Sequence, residues 1–213
     1  MLTQRDSQPL LQRAILTCVI VSVVLLLIAS ALYPGGSLAD SGSIGFDWSK
    51  NFISNLFQEK AINGMANPGR MWALIGMAVH ALGDGLFFIR MSRVILEKQA
   101  TWVLRVIGYT NIVFNFMIAT ALHDAMVTIS STLSLLGLFY ITVFIFRTRL
   151  HVLKVCCVGC LLIFYYTLYL YGAGDLGLLA IMQKVAVICS TMLILGLTIY
   201  TKASDFPSNR QGT

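Results

Sequence analysis

The chain has 213 residues, 57% of them hydrophobic and only 11% charged, with a mean hydropathy of +0.80. Soluble domains carry about 25% charged residues, so a water-soluble globule is excluded: too few polar side chains exist to cover its surface. The net charge of +6 does not point to nucleic acid, and no nucleic-acid partner is expected. The basic residues stand in short clusters between apolar runs, which is how topology signals are distributed.

A membrane-spanning helix takes about 20 mostly apolar residues. The first such run is Ala14 to Leu32, preceded by Arg5 and Arg13 and ended by Tyr33-Pro34-Gly35-Gly36. Its apolar core exceeds the usual 7–15 residues of a signal peptide, so a retained span is expected. The long loop from Pro34 to Arg70 follows. Within it Trp48, Phe52, Ile53, Leu56 and Phe57 recur at three- and four-residue spacings, with Asn51, Ser54 and Asn55 opposite. That pattern predicts a short amphipathic helix, capped by Asp47, at the membrane surface or over the bundle.

Further spans are predicted at Met71–Ile89, Trp102–Leu122, Ala125–Phe146, Val155–Tyr171 and Gly177–Tyr200. Backbone groups in lipid must be satisfied within the segment, so these runs are helices. The expected fold is therefore an all-α, polytopic transmembrane bundle of six spans in a single domain over 1–213.

Orientation follows from the basic residues. Alternating six spans places Arg5, Arg13, Arg90, Arg93, Lys98, Arg105, Arg147, Arg149, Lys154, Lys202 and Arg210 on one side. Lys50, Lys60 and Arg70 fall on the other, and Lys184 falls inside a span. The excess side is cytoplasmic, so both termini are expected in the cytoplasm and the long loop outside. Multiple passes through a membrane are expected.

Ionisable groups inside spans are expensive and are functional candidates. His80 and Asp84 lie four apart on one face of the second span, either as a structural pair or as a relay or ligand site. Asn111 and Asn115 repeat that spacing on the third span, where asparagines also serve as interhelical glue. His123 and Asp124 mark the outer turn between spans three and four. Lys184, beside Gln183, lies roughly 10 Å below the outer surface, and either snorkels or needs an acceptor in the bundle. Thr128, Ser131 and Ser134 line span four, and Tyr165, Tyr166, Tyr169 and Tyr171 crowd the outer half of span five. Together with Asn51 and Ser54 of the loop, these groups predict an outward-facing polar cavity roofed by the first loop.

Three histidines are too few, and too dispersed, for a three-histidine metal site; His80, His123 and Asp124 form the one combination left. Cys157-x-x-Cys160 has metal or redox spacing but lacks a partner pair. Cys18, Cys156 and Cys189 also fall in apolar runs, so no disulfide framework is implied. No nucleophile elbow, phosphate loop or dinucleotide fingerprint is present. Neither a metal nor another cofactor is expected.

Tyr33-Pro34-Gly35-Gly36-Ser37 after a first span, followed by Trp48-Ser49-Lys50-Asn51-Phe52-Ile53-Ser54-Asn55-Leu56, resembles an uncharacterised prokaryotic membrane family, domain of unknown function 998. That family is similar in outline to the group containing the damage-regulated autophagy modulators. The resemblance implies six spans, a long first exterior loop and a prokaryotic plasma (inner) membrane, but no reaction. The family pattern carries Asp-Leu-Gly after the serine, where this chain has Asn55-Leu56-Phe57. A more distant likeness is to the intramembrane hydrolases that include ceramidases and progestin/adipoQ-type receptors, whose third outer histidine is missing here. Three functions follow as expectations: binding of a membrane lipid or partner through the cavity, an intramembrane lipid hydrolase, and a small transporter or channel. The last would need a homo-oligomer.

Overall fold

The computed structural model describes residues 7–118, 120 and 122–206; Arg5 and Arg210 of the charge count lie outside them. Six α-helices follow one another: α1 Ser7–Ala31, α2 Arg70–Val94, α3 Lys98–Met117, α4 His123–Ile145, α5 His151–Ala173 and α6 Leu176–Tyr200. Among the described residues no β-strand occurs beyond two isolated bridges, Gly35 with Ile44 and Lys60 with Ala66. By length and composition, five helices (α1, α2, α4, α5 and α6) can cross a membrane. The excluded helix, α3, carries Lys98, Gln99, Arg105, Asn111 and Asn115. The bundle exposes apolar side chains all round, such as Ile20, Leu82, Val113, Phe139, Leu162 and Ile188. Soluble monomers do not tolerate such a surface, and lipid does.

Helices adjacent in sequence pack against each other, and α6 returns to touch α1 and α2. The helix α2 is pressed between α1 and α3 through glycines. A Cβ on Gly85 would stand 2.5 Å from the Gly108 carbonyl oxygen, and one on Gly108 would stand 2.8 Å from that of Gly85. Gly76 and Gly83 meet Leu25 and Cys18 of α1 in the same way. This is small-residue packing of the kind membrane helices use for close approach.

Two apolar clusters occupy the two ends of the bundle. The larger, at the end holding the α2–α3 and α4–α5 connections, contains Ile15, Phe87, Met91, Leu104, Ile141 and Leu197. The smaller, at the end holding the long loop, joins Ala29, Tyr33, Leu56, Phe57, Ala61 and Ala73.

Several helices overrun their expected bounds. The second passes Arg90 and continues to Val94 because the guanidinium folds inward instead of marking an exit. Arg90 is 5% exposed and donates to the carbonyl of Thr201 at 2.8 Å and to its hydroxyl at 3.2 Å. A cation thereby caps the free carbonyls at the C-terminus of α6. The third ends early, at Met117, so His123 and Asp124 form the first turn of α4 rather than a tight two-residue turn.

The expected amphipathic helix in the loop is replaced by a single 3₁₀ turn, Ile53–Phe57, lying over the bundle with Leu56 and Phe57 buried. Asp47 does not cap a helix. Its carboxylate accepts from the backbone N–H and hydroxyl of Ser49 at 2.8 and 2.6 Å, and those bonds hold its pKa below the usual carboxylate range. The loop is a folded cap. Gly35 and Gly36 take positive φ values of 141° and 83°, and a Cβ on Gly36 would stand 2.4 Å from the Asn63 nitrogen. Only glycine makes that turn. Asn67 then donates to the carbonyls of Leu56 and Gln58, and Arg70 donates to that of Phe57.

Candidate functional site

Between the two apolar clusters lies a cavity of about 420 Å³, within the range of small-molecule sites. Helices α2, α4, α5 and α6 supply most of its wall, α3 adds Asn115 and Ile118 follows its end, and the loop roofs it with Phe52, Ile53, Ser54 and Phe57. The floor is Phe87, Phe88, Leu138, Cys160, Leu193 and Ile194. On α4 the lining runs from His123 to Leu138, about 22 Å at 1.5 Å per residue, so the space is elongated along the bundle axis.

One wall is polar. His80 and Asp84 both line the cavity and are half-buried, one turn apart on α2. Asp84 takes its hydrogen bonds not from His80 but from α3: the Nδ2 groups of Asn115 and Asn111 donate to its Oδ2 at 2.9 and 3.2 Å. Asn111 Nδ2 also donates to Ser134 Oγ at 2.8 Å, and Ser130 Oγ donates to Asn115 Oδ1. Asn111 is fully buried, and its Oδ1 is left without a partner by turning the amide nitrogen toward the carboxylate. The cluster thus joins α2, α3 and α4.

Magnitudes bear on why Asp84 is there. It stands 14 residues from the start of α2 and 10 from its end, near mid-depth. A carboxylate there costs about 2.5–3.5 kcal/mol. Interhelical hydrogen bonds in membranes return about 0.6 kcal/mol each on average. Two such bonds alone do not offset that cost.

Lys184 and Asn51 stand apart from this cluster and hold the roof. Lys184 is 7% exposed, and its ammonium donates to the carbonyls of Asn51 and Ala180 at 2.5 and 2.6 Å. Its neighbour Gln183 accepts from the Ile53 N–H at 2.9 Å. Asn51 is fully buried, donates to the Gly36 carbonyl at 2.7 Å and accepts from the Asp47 N–H at 2.8 Å. Ser54 lines the cavity from the roof itself.

His123 and Asp124 line the cavity at its loop end. Nδ1 of His123 is 3.1 Å from an Asp124 carboxylate oxygen, while Asp124 is 86% exposed. His123 Nε2 is buried without a partner. Among the described residues no three His, Cys, Asp or Glu side chains converge as metal ligands, so His80, His123 and Asp124 do not form one site. All five cysteines are free.

Ser130 also belongs to this wall, and its four-residue spacing to Ser134 matches that of Asn111 and Asn115. Thr128 is exposed and donates to the Asp124 carbonyl. Tyr165, Tyr166 and Tyr169 are exposed, whereas Tyr171 lines the cavity.

No family model matches the chain, and no curated protein or solved structure shows a significant similarity to it.

Proposed function

We propose that this chain is a six-span integral membrane protein that binds a lipid or other amphiphile in the cavity under its first loop. The observation that carries the reading is the cavity itself: about 420 Å³, elongated, apolar at floor and roof, and polar along one wall. That combination suits a ligand with a long apolar body and a compact polar group.

The sixth span is α3. It falls short of the other five in hydropathy because it carries Lys98, Gln99, Arg105, Asn111 and Asn115, of which Asn111 and Asn115 bond to Asp84. Its outward face carries Trp102, Val106, Tyr109, Val113 and Phe116, which is suited to lipid. Six spans put both chain ends on the cytoplasmic, Lys/Arg-rich side and the loop outside. The loop resemblance to the family of domain of unknown function 998 supports the same topology. Among the alternatives, transport loses Lys184 as a coupling group, since that ammonium is engaged by the loop and α6 backbones.

The test is purification of the full chain in native lipid, followed by mass spectrometry of what accompanies it. One amphiphile, or a few of one class, should be enriched over the bulk lipid. The enrichment should be lost in Ser131→Phe, which places a ring in the cavity at a residue lining it. A lipid profile equal to the bulk membrane, in the unmodified protein, refutes the reading.

A further inference from the structure

The cavity's charge identifies its ligand more narrowly. This inference rests on the cavity-binding reading. Among the described residues no lysine or arginine lines the space; its ionisable lining consists of the carboxylates of Asp84 and Asp124, the imidazoles of His80 and His123, the phenol of Tyr171 and the thiol of Cys160. Asp124 is 86% exposed and pairs with His123 at the rim. Of the two carboxylates, Asp84 stands deep, next to the floor residues Phe87 and Phe88. Its hydrogen bonds come from two neutral amides, which orient a carboxylate without neutralising it. Arg90, the nearest arginine along α2, is turned to Thr201, and Lys184 is turned to Asn51.

A deep carboxylate in an apolar cavity is stabilised by a counter-charge; among the described residues no lysine or arginine supplies one there, and the nearest basic side chain on α2 is the His80 imidazole one turn away. The cavity also presents aromatic rings of Phe87, Phe88, Phe164 and Tyr171, which attract a desolvated ammonium. We infer that the ligand is an amphiphilic amine: its ammonium sits at the deep end against Asp84, and its apolar body rises toward the roof between α4, α5 and α6. An amine-bearing lipid and a free lipophilic amine share this chemistry.

The test compares hexadecylamine, hexadecanol and hexadecanoic acid, which share one chain and differ in head group, with imipramine as a compact non-lipid amine. Binding to the full chain in detergent is followed by native mass spectrometry at neutral pH. Hexadecylamine should bind at least tenfold more tightly than hexadecanol, and hexadecanoic acid more weakly than either. In Asp84→Asn the amine-to-alcohol ratio should fall to within threefold of one. If that variant does not fold, the ratio in the unmodified protein decides alone. Imipramine at hexadecylamine's affinity assigns the site to free amines, and imipramine much weaker assigns it to amine lipids; both support the inference. Equal binding of amine and alcohol, preferred binding of the acid, or an amine preference that survives in Asp84→Asn overturns it while leaving the cavity-binding reading intact. Failure of every probe to bind the folded protein overturns both.

Discussion

Replacing Asn51 with alanine tests how the roof is held. The side chain is fully buried and makes two well-formed hydrogen bonds, to the Gly36 carbonyl at 2.7 Å and from the Asp47 N–H at 2.8 Å. The alanine leaves both backbone groups without their partner. Each buried polar group stranded in this way costs about 1–3 kcal/mol, and relaxation toward solvent at the loop edge limits the sum to about 2–4 kcal/mol. The loss falls on local opening of the cap, since α6 and the larger core cluster do not touch Asn51 through those bonds. At 1.36 kcal/mol per tenfold, exchange of the protected amides in 47–57 should accelerate about 30- to 900-fold. Hydrogen exchange read by mass spectrometry on the full chain in detergent measures this, with the α2 and α6 peptides as internal references. Unchanged exchange in 47–57 of a folded variant refutes the assigned role of Asn51. Equal acceleration throughout would show that the cap does not open independently.

The crossing of α2 and α3 is similarly exposed to test: Gly85→Ala should destabilise by about 1–3 kcal/mol, because its Cβ would stand 2.3 Å from an Ile112 side-chain carbon. Gly159→Ala, with nothing within 4 Å of its Cβ, should be neutral or stabilise by up to about 1 kcal/mol; thermal unfolding in detergent separates the two. Arg90→Met should destabilise by about 2 kcal/mol through loss of charge-assisted bonds to Thr201, and limited proteolysis should then cut first after α6; resistance equal to that of the unmodified chain contradicts the capping role. For orientation, a cysteine at Ser41 should react with an impermeant maleimide in intact cells, whereas one at Arg149 should react only after lysis. The reverse pattern inverts the proposed topology.

Particular residues show where the sequence was legible. The apolar runs located the six helices of the described residues, since a run that crosses hydrocarbon must satisfy its backbone groups within itself. The four-residue spacings of His80 with Asp84 and of Asn111 with Asn115 put each pair on one helix face. That two of these faces meet depends on the glycine crossing at Gly85 and Gly108, which pattern alone does not register. Arg90 illustrates the opposite failure. A basic residue after an apolar run reads as an exit from the membrane, yet here its fork closes on a carbonyl 111 residues away. Lys184 likewise finds its acceptor 133 residues away in the loop, a pairing no local signal encodes. The 47–57 segment reads as an amphipathic helix because its apolar spacing is helical, but Asn51 and Asn55 turn their amides onto local loop backbone. Such local bonds compete with helix and leave one 3₁₀ turn.

The central claim is that an amphiphile occupies the cavity beneath the loop. An experimental structure of the full chain, purified in native lipid, tests this most directly. Elongated non-protein density is expected between α2, α4, α5 and α6, with its polar end at hydrogen-bonding distance from Asp84. A cavity filled only by water or collapsed onto its own side chains, under a folded loop, would contradict it.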